Sequence, residues 1–181
     1  MKVFKKVFVI VILYCFYVFI SCGNNKNDLS FFKLKKELLL KDSVYLFFRG
    51  TDTKEGFYAK DFNINDSLSS HVGIGVYENY WKIYNVLDYK DGFSDLRSES
   101  FEDFFSFKKE KVIYGSVWAI LDLDSIDVKK IKENILIYKN KKITFDKTFS
   151  LLDSTKLYCS EFICNLLYET NSSKFNFKLN K

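Results

Sequence analysis

Apolar positions along this chain recur in steps of two in some segments and of three and four in others, which predicts a mixture of strands and helices. Residues 7–20 are an unbroken apolar run of 14 residues. Residues 23–29 are polar, and 31–41 have spacing compatible with a first helix. Asp42-Ser43 breaks it, and residues 44–48 form a β-rich run closed by Arg49-Gly50. Residues 51–69 are polar and predict a long loop, of the kind often used as a lid or binding loop. The alternating runs 71–77 and 81–87, joined by Glu78-Asn79, predict a β-hairpin. Asp91-Gly92 marks a turn, and residues 100–105 a short helix or turn with Phe101, Phe104 and Phe105 inward. Residues 111–121 form a further strand. Ser125 is placed to cap a helix over 126–138, with Val128, Ile131, Ile135 and Tyr138 on one face. Residues 156–158 lead into a last helix over about 160–169, whose Phe162, Ile163, Leu166 and Leu167 are apolar. With no proline and no internal repeat, the pattern is α+β: a small antiparallel sheet packed against helices.

The N-terminal run reads as a targeting segment. Lys2, Lys5 and Lys6 precede it, and its 14 residues fall short of the ~20 needed to span a bilayer. It ends in Phe19-Ile20-Ser21-Cys22-Gly23, which resembles a bacterial lipobox, with Phe19 in place of the usual aliphatic residue. The expected organisation is a lipoprotein signal peptide at 1–21, a tether at 22–30 and one domain at 31–181, with a lipid on Cys22. At 181 residues the chain has room for one domain of ordinary size. Removing the signal takes three of the 28 basic residues and leaves 25 against 23 acidic ones, a net charge near +2. The lysine runs (Lys33, Lys35, Lys36; Lys139, Lys141, Lys142) are broken by acidic and apolar residues. They read as a solvated surface, so no nucleic acid is expected as a partner.

Of the four cysteines, Cys15 lies in the signal core and Cys22 at the lipobox, leaving Cys159 and Cys164 for the domain. Five positions apart on one helix, these two point about 140° away from each other. No disulfide is expected between them. No His/Cys/Asp/Glu group has metal-ligand spacing, so no metal or other cofactor is expected.

The only histidine is His71, in Ser70-His71-Val72-Gly73-Ile74; Cys159 stands where the last helix begins, in Tyr158-Cys159-Ser160-Glu161-Phe162. A helix N-terminus stabilises a thiolate through its unpaired N–H groups and the positive end of its dipole. A strand-borne imidazole can serve as the base, and a polar neighbour can orient it. The second hairpin strand offers Asn85 and Asp88 for that role. Hairpin register decides between them, because a one-residue slip reverses every side chain. Glu161 also reads as an acid favoured in the first turn of a helix.

These segments, with Lys82-Ile83-Tyr84-Asn85-Val86 and Phe145-Asp146-Lys147-Thr148-Phe149, resemble the YiiX-like hydrolases. Those form the circularly permuted branch of the papain-like NlpC superfamily, in which the His strand comes first and the Cys helix last. The likeness covers roughly residues 42–168. It implies a permuted papain-like fold, with Cys159 as nucleophile, His71 as base and Asn85 as the residue orienting the imidazole, Asp88 being the fallback. Tyr158 and Asp146 are expected near the site. The implied chemistry is hydrolysis of amide bonds in peptide-type cell-wall substrates, such as peptidoglycan fragments, through a thioester. The expected setting is the bacterial cell envelope, with the protein a lipid-anchored monomer. The same branch includes lipid-directed acyltransferases, which the 20 phenylalanines and 12 tyrosines would suit. A non-catalytic lipoprotein binding peptide or glycan is the rival from another class.

Overall fold

The computed structural model describes residues 36–61, 66–106, 112–148 and 155–175. The signal segment, the tether and the first part of the expected 31–41 helix lie outside the described residues. Within the described part of that helix there is only a 3-10 turn at Lys36–Leu38.

Five strands form one antiparallel sheet: β1 (Tyr45–Thr51), β2 (His71–Tyr77), β3 (Trp81–Val86), β4 (Leu96–Ser100) and β5 (Val112–Ala119), in the order β4-β3-β2-β1-β5. A parallel pair of two-residue strands, β6 (Thr144–Phe145) and β7 (Lys156–Leu157), stands apart from it. The helices are α1 (Lys54–Asp61), α2 (Phe101–Phe105), α3 (Ser125–Asn140) and α4 (Cys159–Thr170). The α+β class and the antiparallel sheet are as the sequence predicts, and the β2–β3 hairpin spans nearly the expected residues.

Four local expectations are corrected. β1 does not stop at Phe48 but runs through Arg49 and Gly50, because the sheet on either side continues to pair with it. The 51–69 loop contains α1, started by the Thr53 hydroxyl accepting the Gly56 N–H at 3.0 Å. β4 lies in a stretch whose only large apolar strand residue is Leu96, so no alternation announces it. Helix α3 is capped by Asp124, not Ser125: its carboxylate accepts the Asp127 N–H at 2.8 Å.

The pleat sends alternate residues to opposite faces. On one face Val72, Ile74 and Val76 of β2 and Tyr84 and Val86 of β3 pack with Ile131, Ile135 and Tyr138 of α3. Phe162, Ile163 and Leu166 of α4 complete that core. Tyr138 and Phe162 meet edge to face, ring centres 5.4 Å apart. Burying each of these side chains contributes roughly 1.5–3 kcal/mol, enough to seat α4 across the middle strands. The opposite face carries an aromatic layer in which Phe47 contacts Trp81, Phe101 and Phe104 at 6.4, 6.0 and 6.2 Å. Gly75 makes room for it, since a Cβ there would lie 2.1 Å from the Phe47 ring.

Asp95 ties the hairpin side of the molecule to the segment that leads to α4. Its carboxylate accepts the Tyr89 N–H at 3.1 Å and the Phe145 N–H at 2.8 Å, and its own N–H donates to Ile143 O at 2.8 Å. The chain then returns through β7 to the start of α4.

Candidate active site

His71 opens β2, directly across β1 from Arg49. On the other side the register pairs Ile74 with Tyr84. Continued toward the strand end, it sets Asn85 beside Gly73, two residues from His71 and on the same face. A diagonal pair of this kind is within side-chain reach. His71 Nε2 lies 3.0 Å from Asn85 Oδ1, and both residues are buried. Asp88 points elsewhere and pairs with Lys147 at 2.8 Å. Of the two residues left open by the sequence, Asn85 is the one that meets the imidazole.

Asn85 Nδ2 donates to Glu99 Oε2 at 2.9 Å. An ionised carboxylate only accepts, so the amide nitrogen faces Glu99 and the amide oxygen faces His71. The oxygen can only accept in turn, which places the imidazole proton on Nε2 and leaves the Nδ1 lone pair as the basic site. Beneath this chain lies Arg49, 1% exposed, which donates to Phe104 O at 2.7 Å and stands 3.4 Å from Glu99 Oε2. Its guanidinium also sits 4.6 Å from the centre of the Phe104 ring, and that ring stacks on His71 at 6.0 Å. Burial, then the Arg49 charge, holds the His71 imidazole down to about 3, against a smaller opposing effect of the Asn85 bond. The His71 imidazole is therefore neutral throughout the neutral range. Burial pushes the Glu99 carboxyl up, while Arg49 and Asn85 oppose that.

Cys159 is the first residue of α4 and is partly exposed. It packs against the helix-side core, whereas the His71 ring lies toward Phe104. The sulfur is close enough to the backbone N–H groups of Val72, Ser160 and Cys159 itself for each to favour the thiolate, and Arg49 acts in the same sense. Burial is the larger influence and pushes the thiol up. One peptide unit, His71–Val72, thus carries the imidazole on one residue and a donor to the sulfur on the next. Among the described residues no hydrogen bond joins Sγ to the imidazole. Cys159 and Cys164 are both free thiols, as expected.

Tyr158 supplies no side-chain cap to α4. Burial pushes the Glu161 carboxyl up, and the Tyr158 backbone N–H opposes this as the reciprocal half of a capping box. Glu161 is therefore accounted for as an acid of the first turn. Asp146 is buried and accepts the Thr148 N–H and hydroxyl at 2.8 and 2.7 Å, shaping the turn after β6.

Arg49, Glu99 and Phe104 were not evident from the sequence. An arginine closing an apolar strand run was the one available signal. Glu99 sits in a polar stretch with nothing to distinguish it. Among the described residues no group of three or more His, Cys, Asp or Glu side chains could hold a metal ion. Comparison with protein-family models, with curated proteins and with solved structures found no match to this chain.

Proposed function

We propose that this protein is a cysteine hydrolase of the YiiX-like, circularly permuted papain-like kind. It cleaves amide bonds of peptide-type cell-wall substrates from a lipid anchor on Cys22 in the bacterial envelope. The observation that carries this reading is the commitment of His71 Nε2–H to Asn85 beside a helix-start cysteine whose sulfur is met by the Val72 N–H.

The chemistry follows from the resting protonation states. With the imidazole neutral and the thiol raised, the resting pair is uncharged rather than a preformed thiolate and imidazolium. Substrate binding brings the scissile carbonyl to Sγ. His71 Nδ1 takes the thiol proton as the carbon–sulfur bond forms, and the imidazolium is stabilised through Nε2–H by Asn85. The carbonyl oxygen gains a negative charge at the start of α4, where the Cys159 N–H stands ready to donate to it. The amine leaves with the proton from His71, giving a thioester. Water then gives a proton to Nδ1, attacks the thioester carbon and releases the acid and the free thiol.

The test is turnover of defined muropeptides by the full chain in detergent, beside acyl-lipids under the same conditions. Cys159→Ala is expected to lower the rate on the order of 10⁴-fold or more, with the fold intact by circular dichroism. Turnover that survives the substitution rejects the mechanism. Turnover of acyl-lipids alone moves the substrate class to lipids, and turnover of neither leaves the binding lipoprotein.

A further inference from the structure

A carboxylate that is 12% exposed on an edge strand is costly to bury, and among the described residues Glu99 offsets that cost with two polar contacts. The Arg49 contact is long at 3.4 Å, and Arg49 has a shorter bond to Phe104 O. The strong contact is the one to Asn85, at 2.9 Å. We propose that Glu99 is a positioning residue: by accepting from Asn85 Nδ2 it holds the amide in the orientation that keeps the His71 proton on Nε2 and leaves the lone pair on Nδ1. This deepens the proposed function and rests on it in one respect, that Nδ1 is the catalytic base.

An asparagine amide has nearly the same shape when turned over. Turned, it would offer Nδ2 to the imidazole, and a donor there requires Nε2 to accept. The proton would then move to Nδ1, and Nδ1 would no longer carry a free lone pair. Besides Glu99, the amide nitrogen has among the described residues only Ile83 O, at 3.5 Å, the outer limit of a hydrogen bond. Glu99 therefore decides the orientation. Its own place is set by the β3–β4 register, which puts it opposite Ile83 and diagonal to Asn85, and by Arg49 below it. Arg49 is fixed in turn across β1–β2 and by Phe104.

The single histidine makes this directly measurable, because ¹⁵N-histidine labelling of the full chain in detergent gives one imidazole and no assignment problem. Nitrogen–proton correlation spectra are expected to show a protonated Nε2 and an unprotonated Nδ1. In Glu99→Leu the ratio of the Nδ1–H to the Nε2–H form is expected to rise at least tenfold. The rate of Cys159 alkylation at pH 8 is expected to fall by a similar factor. An unchanged tautomer ratio in that variant overturns the proposal. If burial of Arg49 without its carboxylate prevents folding, Glu99→Gln keeps the shape and a weaker neutral acceptor. There the Asn85 side-chain amide proton resonance is expected to move upfield, and an unmoved resonance also overturns the proposal. These readouts need no substrate. Failure of muropeptide turnover with the expected tautomer in place would count against the function and not against the role of Glu99. Normal turnover with an unmoved tautomer in the variants would do the reverse.

Discussion

Buried at the end of β2 beside Arg49, His71 makes the stability of the fold fall in mild acid. The ordinary imidazole value is 6.5 and the folded one is about 3. Between these values the unfolded chain binds a proton that the folded chain refuses. The unfolded state therefore gains about 1.4 kcal/mol for each pH unit below the ordinary value. Stability from this group is fully present above pH 6.5 and is lost progressively as pH falls toward 3. Between pH 6.5 and 4.5 the loss is roughly 2 kcal/mol once partial titration at the upper end is counted. Glu99 works in the opposite sense, because its raised carboxyl favours the folded state as pH falls. The comparison is therefore with His71→Gln, which keeps a donor for Asn85 and cannot be protonated. Urea unfolding of both proteins at the two pH values isolates the histidine, since other groups titrate in both. The wild-type chain should lose about 2 kcal/mol more than the variant. Equal losses, to within about 0.5 kcal/mol, would refute the buried neutral imidazole and with it the resting state assumed for catalysis.

Two further outcomes can be checked. Alkylation of Cys159 by iodoacetamide should be slower at pH 7 than that of an unhindered peptide thiol and should climb about tenfold per pH unit until it passes the raised thiol value. A rate already fast and flat at pH 6–7 would mean a preformed ion pair. Gly50→Ala should destabilise the protein by at least about 1–3 kcal/mol, read as a lower urea midpoint. The added Cβ would lie 2.0 Å from Leu68 O, a backbone atom that cannot swing aside.

The hairpin and the places of His71 and Cys159 in the fold were legible because they sit where pattern and chemistry coincide. His71 begins a strand with clear alternation, and Cys159 begins a helix with a continuous apolar face. The choice between Asn85 and Asp88 was not legible, because it depends on register, and the register emerges only from the paired strands. β4 was missed for a related reason. It is an edge strand whose Arg97, Ser98, Glu99 and Ser100 are polar, so its place comes from pairing with β3 and not from burying an apolar face. Arg49 and Glu99 escaped together. A buried ion pair looks like two surface residues in sequence, and only the folded sheet brings positions 50 apart into contact. The misplaced cap at α3 is a smaller case: Asp124 and Ser125 are both good capping residues, and the backbone selects the one that is still extended.

The chain order at the site also has a consequence for how the protein is made. Synthesis delivers His71, Asn85 and Glu99 before the Cys159 helix, which follows about 90 residues after the histidine. Until that helix docks, the face formed by Val72, Ile74, Val76 and Tyr84 has nothing from α4 to cover it. Contacts between such distant segments cost loop-closure entropy before they return any burial, so they form late and slowly. The Cys159 sulfur therefore meets the Val72 N–H only late in folding. A nascent chain would carry His71, Asn85 and Glu99 before it carries the cysteine at all.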